Sequence, residues 1–156
     1  MNNEMNDFSI PGLRNEFGFV PSPTNYIRPN KRPLSSITPI IVEHPNGTRY
    51  FSIGAAGGSR IITSTVQAIW HVLDHNLTLP EALREPRMHD QLLPDQTTFE
   101  RTFDDKIVES MRERKHKIVY VGEHQSAVQG VMMFGDGSFE AASEPRQANS
   151  GGLVAV

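Results

Sequence analysis

An α+β fold is predicted for this 156-residue chain, and three observations predict it. Two β-type runs meet at Pro45-Asn46-Gly47, and Asn-Gly is the strongest short hairpin signal. A helical repeat of apolar residues (Ile62, Val66, Ile69, Trp70 and Leu73) follows a glycine-rich stretch. Further β-type runs gather after residue 118, without the regular strand–helix alternation of a doubly wound sheet.

Residues 1–33 carry many breakers (Pro11-Gly12, Pro21, Pro23, Pro29, Pro33) and read as an irregular, surface-hugging segment. Its aromatic residues Phe8, Phe17, Phe19 and Tyr26 imply that it packs against something. Residues 34–146 hold the sheet and helices, and 147–156 form a loosely patterned tail. Ile40-Ile41-Val42 begins the first strand and Thr48–Ile53 forms the second. The helix over Ile61–Leu73 ends near Asn76. Thr78-Leu79-Pro80-Glu81 reads as a capping box, which starts a short helix through Arg84. A helix is predicted over Phe103–Lys115, with Ile107, Val108 and Met111 on one face. Strands follow over Ile118–Val121, Ala127–Phe134 and Ser138–Ala142, the last two joined by a Gly135-Asp136-Gly137 turn.

The formal net charge of −3 gives no electrostatic case for nucleic acid as a partner. The local cluster Arg112, Arg114, Lys115, Lys117 sits at a predicted helix end, where cations are favoured. There is no cysteine, which rules out disulfides, thiolate metal sites and a thiol nucleophile in this chain. No run approaches the roughly 20 apolar residues of a membrane span, and Met1-Asn2-Asn3-Glu4 lacks the basic and apolar regions of a signal peptide. The two glycosylation triplets, Asn46-Gly47-Thr48 and Asn76-Leu77-Thr78, coincide with the hairpin turn and the capping box.

Two small-residue clusters flank the hairpin, so both return to one end of the sheet. Gly57 and Gly58 lack Cβ atoms, which leaves their amides open to close approach by a developing oxyanion. A plain strand-to-helix turn uses the same residues. Ser35 and Ser36 carry vicinal hydroxyls suited to a carboxylate, or to local turn hydrogen bonds. Glu4 and Asp7 are paired carboxylates three residues apart, able to receive an ammonium group. The P-loop pattern is excluded, because Arg60 follows Ser59 where Lys and then Ser or Thr are required. His71 and His75 stand four apart on the helix without the Glu of a H-E-x-x-H motif, so a half-exposed helix face is expected. His89, beside Arg87 and Asp90, is expected to sit in a structural network.

Taken in order, these stretches resemble the C-terminal part of the small subunit of the γ-glutamyltransferases (glutathione hydrolases), most closely fungal members. Asn2 to Ser9 is similar to N-N-E-M-D-D-F-S, and Asn30 to Ser36 to N-K-R-P-L-S-S. Gly57 to Thr63 is similar to G-G-S-R-I-I-T, Pro86 to Asp95 to P-R-F-H-H-Q-W-L-P-D, and Ala142 to Arg146 to A-S-D-P-R. Asn6, Asp90, Leu92 and Glu144 depart from those patterns. The resemblance implies part of an Ntn-hydrolase αββα four-layer sandwich, with residues 1–156 as a partial small-subunit domain. It implies transfer of a γ-glutamyl group from glutathione or another γ-glutamyl compound to water, an amino acid or a peptide. Glu4 and Asp7 are then expected on the substrate's ammonium, Ser35 and Ser36 on its α-carboxylate, and Gly57 and Gly58 at the oxyanion hole.

No metal or organic cofactor is implied. A large subunit of the same precursor is the expected partner, and the secretory pathway, vacuole or cell surface the expected location. The family's nucleophile is an N-terminal Thr released by self-cleavage, and the matched segments fall after that position. The isolated chain is accordingly expected to be inactive. The other reading is a catalytically dead, truncated relative that binds a glutamate-like ligand or pairs with a full-length subunit.

Overall fold

The computed structural model describes residues 3–152 and the backbone of 154 and 155. Met1 and Asn2, at the start of the first resembling stretch, and Leu153 and Val156 of the tail lie outside the described residues. Strand β1 (Ile40–Glu43) and strand β2 (Arg49–Ala56) form the expected antiparallel hairpin, with Ile40 opposite Ile53. Asn46 Oδ1 accepts from the Thr48 amide at 3.0 Å and from its hydroxyl at 2.7 Å, so this triplet is a side-chain-locked turn. Strand β2 runs three residues further than its β-branched pattern predicts. Gly54, Ala55 and Ala56 still pair with Gln129, Val128 and Ala127 of the neighbouring strand.

A tight turn over Gly58–Arg60 leads into helix α1 (Ile61–Leu73), and helix α2 (Leu79–Arg84) follows. The capping box is present in full: Thr78 Oγ1 accepts from the Glu81 amide and the Glu81 carboxylate accepts from Thr78 N–H. Leu79 and Leu83 project fully buried from this six-residue helix. A helix this short forms only because its ends are satisfied and its apolar side chains are covered. Thr78→Ala is therefore expected to lower stability by about 1 kcal/mol, read as a lower urea midpoint with an unchanged slope.

Strands β3 (Met88–His89) and β4 (Thr97–Glu100) come next, then helix α3 (Asp105–Glu113) and strand β5 (Ile118–Val121). Strands β6 (Ala127–Met133), β7 (Phe139–Ala142) and β8 (Val154–Ala155) complete the chain. The large sheet has the order β1-β2-β6-β7-β8, with every pair antiparallel. The small sheet has the order β3-β4-β5, with β4 and β5 parallel across α3.

Three sequence expectations change here. Ile118–Val121 does not join the following strands; it belongs to the second sheet, with β3 and β4, which the sequence reading left unassigned. All four residues of β4 are buried, so it lacks the alternation that reveals a half-buried strand. The loose tail closes with β8 against the end of β7, a two-residue pairing too short to leave a pattern.

The third change concerns α1. Of the repeat that identifies the helix, Ile69 packs against the core, while Ile62, Val66, Trp70 and Leu73 lie on the exposed side. The buried side is Ile61, Ser64, Thr65, Ala68 and Val72. The core joins Ala68, Val72, Leu79 and Leu83 to Phe51, Ile53, Val128 and Met132 of the large sheet. A helix apolar on both sides is built to be covered on both. The far face of the large sheet is open in the same way, and Ile41, Val131 and Phe139 are exposed on it.

Candidate functional site

Strand β2 delivers Gly57 and Gly58 at its end, where both adopt positive φ, +136° and +59°. These values belong to glycine, and they turn the backbone sharply before α1 begins. Across from them the chain entering β1 carries Ser35 and Ser36. Ser36 Oγ donates to the Gly58 carbonyl at 2.6 Å, a bond spanning 22 residues. Ser35 Oγ instead accepts from the Ile37 amide at 3.2 Å, a local turn bond. The two clusters thus meet at one end of the sheet, as their flanking of the hairpin requires.

Glu4 and Asp7 bound a single exposed 3-10 turn, Glu4–Asp7. A residue that sequence reasoning missed, Asn25, connects this turn to the serines. Its Nδ2 donates to the Asp7 carbonyl at 2.7 Å, and its Oδ1 accepts from the Leu34 amide at 2.9 Å. One side chain therefore joins the backbone of Asp7 to that of Leu34, next to Ser35. A parallel bridge between Ser9 and Tyr26 adds to the tie. No sequence signal announces Asn25, because its partners lie 18 and 9 residues away in an unpatterned segment.

Phe17 closes the other side. A Cβ on Gly58 would collide with Phe17 Cζ, so the tip of the ring packs against that glycine. Gln91 holds Phe17 there: its Nε2 donates to the Phe17 carbonyl at 2.6 Å and to the Leu93 carbonyl at 2.7 Å. With both amide hydrogens committed to carbonyls, Gln91 Oε1 faces the His89 Nε2–H at 2.9 Å. His89 Nδ1 lies within hydrogen-bond distance of the Thr63 hydroxyl, 2.8 Å away in the first turn of α1, and that hydroxyl donates to the Arg60 carbonyl at 3.2 Å. His89 is buried, and it is the structural network member the sequence predicted. A cavity of about 240 Å³ beside this chain of bonds is lined by Glu16, Phe17, Arg60, His89, Gln91 and Thr98. Burial there pushes the Arg60 guanidinium pKa down.

His71 and His75 meet as rings, 5.2 Å between centroids, and Trp70 lies 4.3 Å from His75. Burial pushes His71 below the ordinary histidine value; Glu85 opposes this and His75 adds to it. No group of three metal-ligating side chains exists among the described residues.

Behind the glycines lies a buried ionic cluster. Arg87 meets Glu144 at 2.8 Å, and Arg146 meets Glu100 at 2.7 Å and Glu144 at 3.1 Å. Arg87 and Glu144 both fall in stretches that the sequence singled out, but their pairing across 57 positions is visible only in the fold.

An α+β chain whose glycine turn, serine pair and acidic turn converge in this way has close structural counterparts. It superposes on a Helicobacter pylori γ-glutamyltranspeptidase variant with a TM-score of 0.85 at 38% identity, covering 94% of this chain and 81% of that one. The family model for gamma-glutamyltranspeptidase matches residues 1–154. Among curated proteins, the glutathione hydrolase proenzyme of Arthroderma benhamiae is 52% identical over 154 residues, which is 99% of this chain and 26% of that protein. The glutathione hydrolase of Aspergillus flavus is 42% identical over 157 residues, 100% of this chain and 27% of that protein. The chain belongs to the γ-glutamyltranspeptidase family and has its Ntn-hydrolase fold. It spans about a quarter of the length of these two curated relatives.

Proposed function

We propose that this chain supplies the γ-glutamyl pocket and the oxyanion hole of an enzyme that transfers γ-glutamyl groups or hydrolyses glutathione. The observation that carries the reading is the Ser36 Oγ bond to the Gly58 carbonyl, which puts hydroxyls and glycine amides side by side. In this reading Ser35 and Ser36 take the substrate α-carboxylate, and Glu4 and Asp7 take its α-ammonium group. The Gly57 and Gly58 N–H groups meet the negative charge that develops on the scissile carbonyl oxygen. Donors placed for that charge lower the barrier without tightening the ground state. The attacking Thr hydroxyl, with its own amine as base, follows the N-terminal nucleophile arrangement.

The same reading assigns the open surfaces a partner. The Arthroderma benhamiae relative, about four times as long as its match to this chain, is a proenzyme by name, and a large subunit of one precursor fits the stripe on α1 and the bare face of the large sheet. A groove of about 470 Å³ on that face is lined by Ile41, Gly54, Val131 and Ala141. Apolar surface of this kind marks an interface.

The test is hydrolysis of a γ-glutamyl anilide by the purified chain and by a chimaera. The chimaera places this chain in the matching segment of the Arthroderma benhamiae proenzyme. The expected result is no turnover from the chain alone and turnover from the chimaera, abolished by Ser36→Ala combined with Asp7→Ala. Turnover by the chain alone, or full activity of that double variant, would overturn the reading.

A further inference from the structure

Ser126 belongs to none of the motifs above, yet it stands directly behind the glycine turn. A Cβ added to Gly57 would lie 2.9 Å from the Gln125 carbonyl oxygen and 2.9 Å from both Cα and Cβ of Ser126. The Gly57 backbone therefore rests on Ser126 with no side chain between them. Ser126 is itself held from two directions. Ser64, buried on the inner face of α1, donates its hydroxyl to Ser126 Oγ at 2.7 Å. Arg87 Nη1 donates to the Ser126 carbonyl and to its hydroxyl, both at 3.2 Å. The same nitrogen is 2.8 Å from Glu144 Oε2, and that oxygen also accepts from the Val128 amide at 2.7 Å. The start of β6 is thus fixed by a helix, an ion pair and its own strand.

A glycine has no side chain of its own to hold its amide in one direction. At φ +136° its carbonyl is held by the Arg60 amide at 3.2 Å, and its amide side depends on what packs against it. Reactive-site geometry needs a supporting shell of locked rotamers and hydrogen bonds. We infer that Ser126 is a positioning residue for Gly57, and that the Ser64–Ser126–Arg87 bonds set the aim of the Gly57 N–H. The inference rests on the proposed role of Gly57 at the oxyanion hole. A donor helps only when it lies where the oxyanion forms, so loosening it lowers kcat and leaves substrate binding intact.

The experiment uses the chimaera described above, with active sites titrated so that misfolded molecules do not count. Ser126→Ala is expected to lower kcat by about tenfold, a fraction of the 10²–10³ that loss of a whole oxyanion donor costs, with KM for the γ-glutamyl donor unchanged. Ser64→Ala is expected to act in the same direction. The double variant is expected to be no worse than Ser126→Ala, because Ser126→Ala already removes the bond that Ser64→Ala removes. A purely structural role would lower the melting temperature and leave kcat per active site alone, which overturns the inference. Gly57→Ala serves as the separate test of the underlying reading. If it abolishes turnover while Ser126→Ala does not, the inference fails and the oxyanion assignment stands; if Gly57→Ala leaves kcat intact, the assignment itself falls. Amide hydrogen exchange at Gly57 in the chain gives an answer independent of turnover. Exchange at least tenfold faster in Ser126→Ala supports the inference, and equal rates overturn it.

Discussion

Glu144→Gln is expected to lower folding stability by about 3–5 kcal/mol, the cost of stranding the partners of a buried ion pair. The side chains of Arg87 and Glu144 are 7% and 0% exposed, and those of Arg146 and Glu100 are 6% and 4%. Two guanidinium groups and two carboxylates balance, so removing one negative charge leaves an excess positive charge out of water. The geometry is well satisfied besides. Arg146 Nε and Nη2 reach the two oxygens of Glu100 at 2.9 and 2.7 Å, a bidentate pair. The same guanidinium donates to the carbonyls of Leu83 and Glu85, and Arg87 Nη2 also donates to Leu83. The cluster therefore caps the C-terminal end of α2 and ties β4 of the small sheet to the large one. A well-packed apolar set in its place would be near neutral in stability, whereas removing one partner of the existing pair is costly.

The same substitution has a pH signature. Burial alone would raise the Glu144 carboxyl. The Val128 N–H and the Arg87 guanidinium outweigh it and hold the group below its ordinary 4.5. A carboxyl held low in the folded chain contributes stability that is complete above about 4.5 and is lost as the pH falls through the folded value. Urea midpoints measured from pH 7 to pH 3 are expected to differ most between the parent chain and Glu144→Gln at neutral pH, and to converge in acid. A gap that stays constant down to pH 3 would show that the Glu144 charge plays no part.

The parts of this fold legible in the sequence are those where local chemistry and final structure agree. Asn46-Gly47 makes its turn with its own side chain and neighbours, and Thr78 with Glu81 completes its cap within four residues. The meeting of the glycine turn and the serine pair follows from the hairpin between them, and it is made by the Ser36 bond to the Gly58 carbonyl. Illegible were the features whose partners are remote. Glu100 sits in a fully buried strand because Arg146, 46 residues on, neutralises it, and no window around Thr97–Glu100 contains that information. Asn25 and Ser126 look like ordinary loop residues until the fold sets a carbonyl, an amide or a glycine against them. The apolar repeat on α1 identifies the helix, but periodicity does not say which side faces this chain's own core, because both sides carry apolar residues.

Gly57→Ala is expected to be the most damaging single change to turnover, lowering kcat in the chimaera by roughly 10²–10³, as the loss of one oxyanion donor does. Two independent obstacles oppose it. At φ +136° an L side chain is strained whatever space surrounds it, and here the new Cβ would also meet backbone, the Gln125 carbonyl oxygen at 2.9 Å. Backbone of a paired strand entrance does not move aside cheaply, so the turn itself must shift and carry the 57 amide with it. Gly58→Ala is the informative comparison. Its φ of +59° lies in the left-handed region, which costs about 1–2 kcal/mol for a non-glycine residue but is attainable. Its new Cβ would meet only the tip of the Phe17 ring, a side chain able to swing away. The Ser36 bond to the residue 58 carbonyl survives the change, because a carbonyl needs no particular side chain. The expected order is therefore parent above Gly58→Ala above Gly57→Ala in kcat, with little change in KM for either. Equal losses at the two positions would mean that the backbone contact at 57 does not decide the size of the effect. The combination Gly58→Ala with Phe17→Ala separates the cases: relief of the clash is expected to restore most of the loss at 58, and no removal of Phe17 is expected to help at 57.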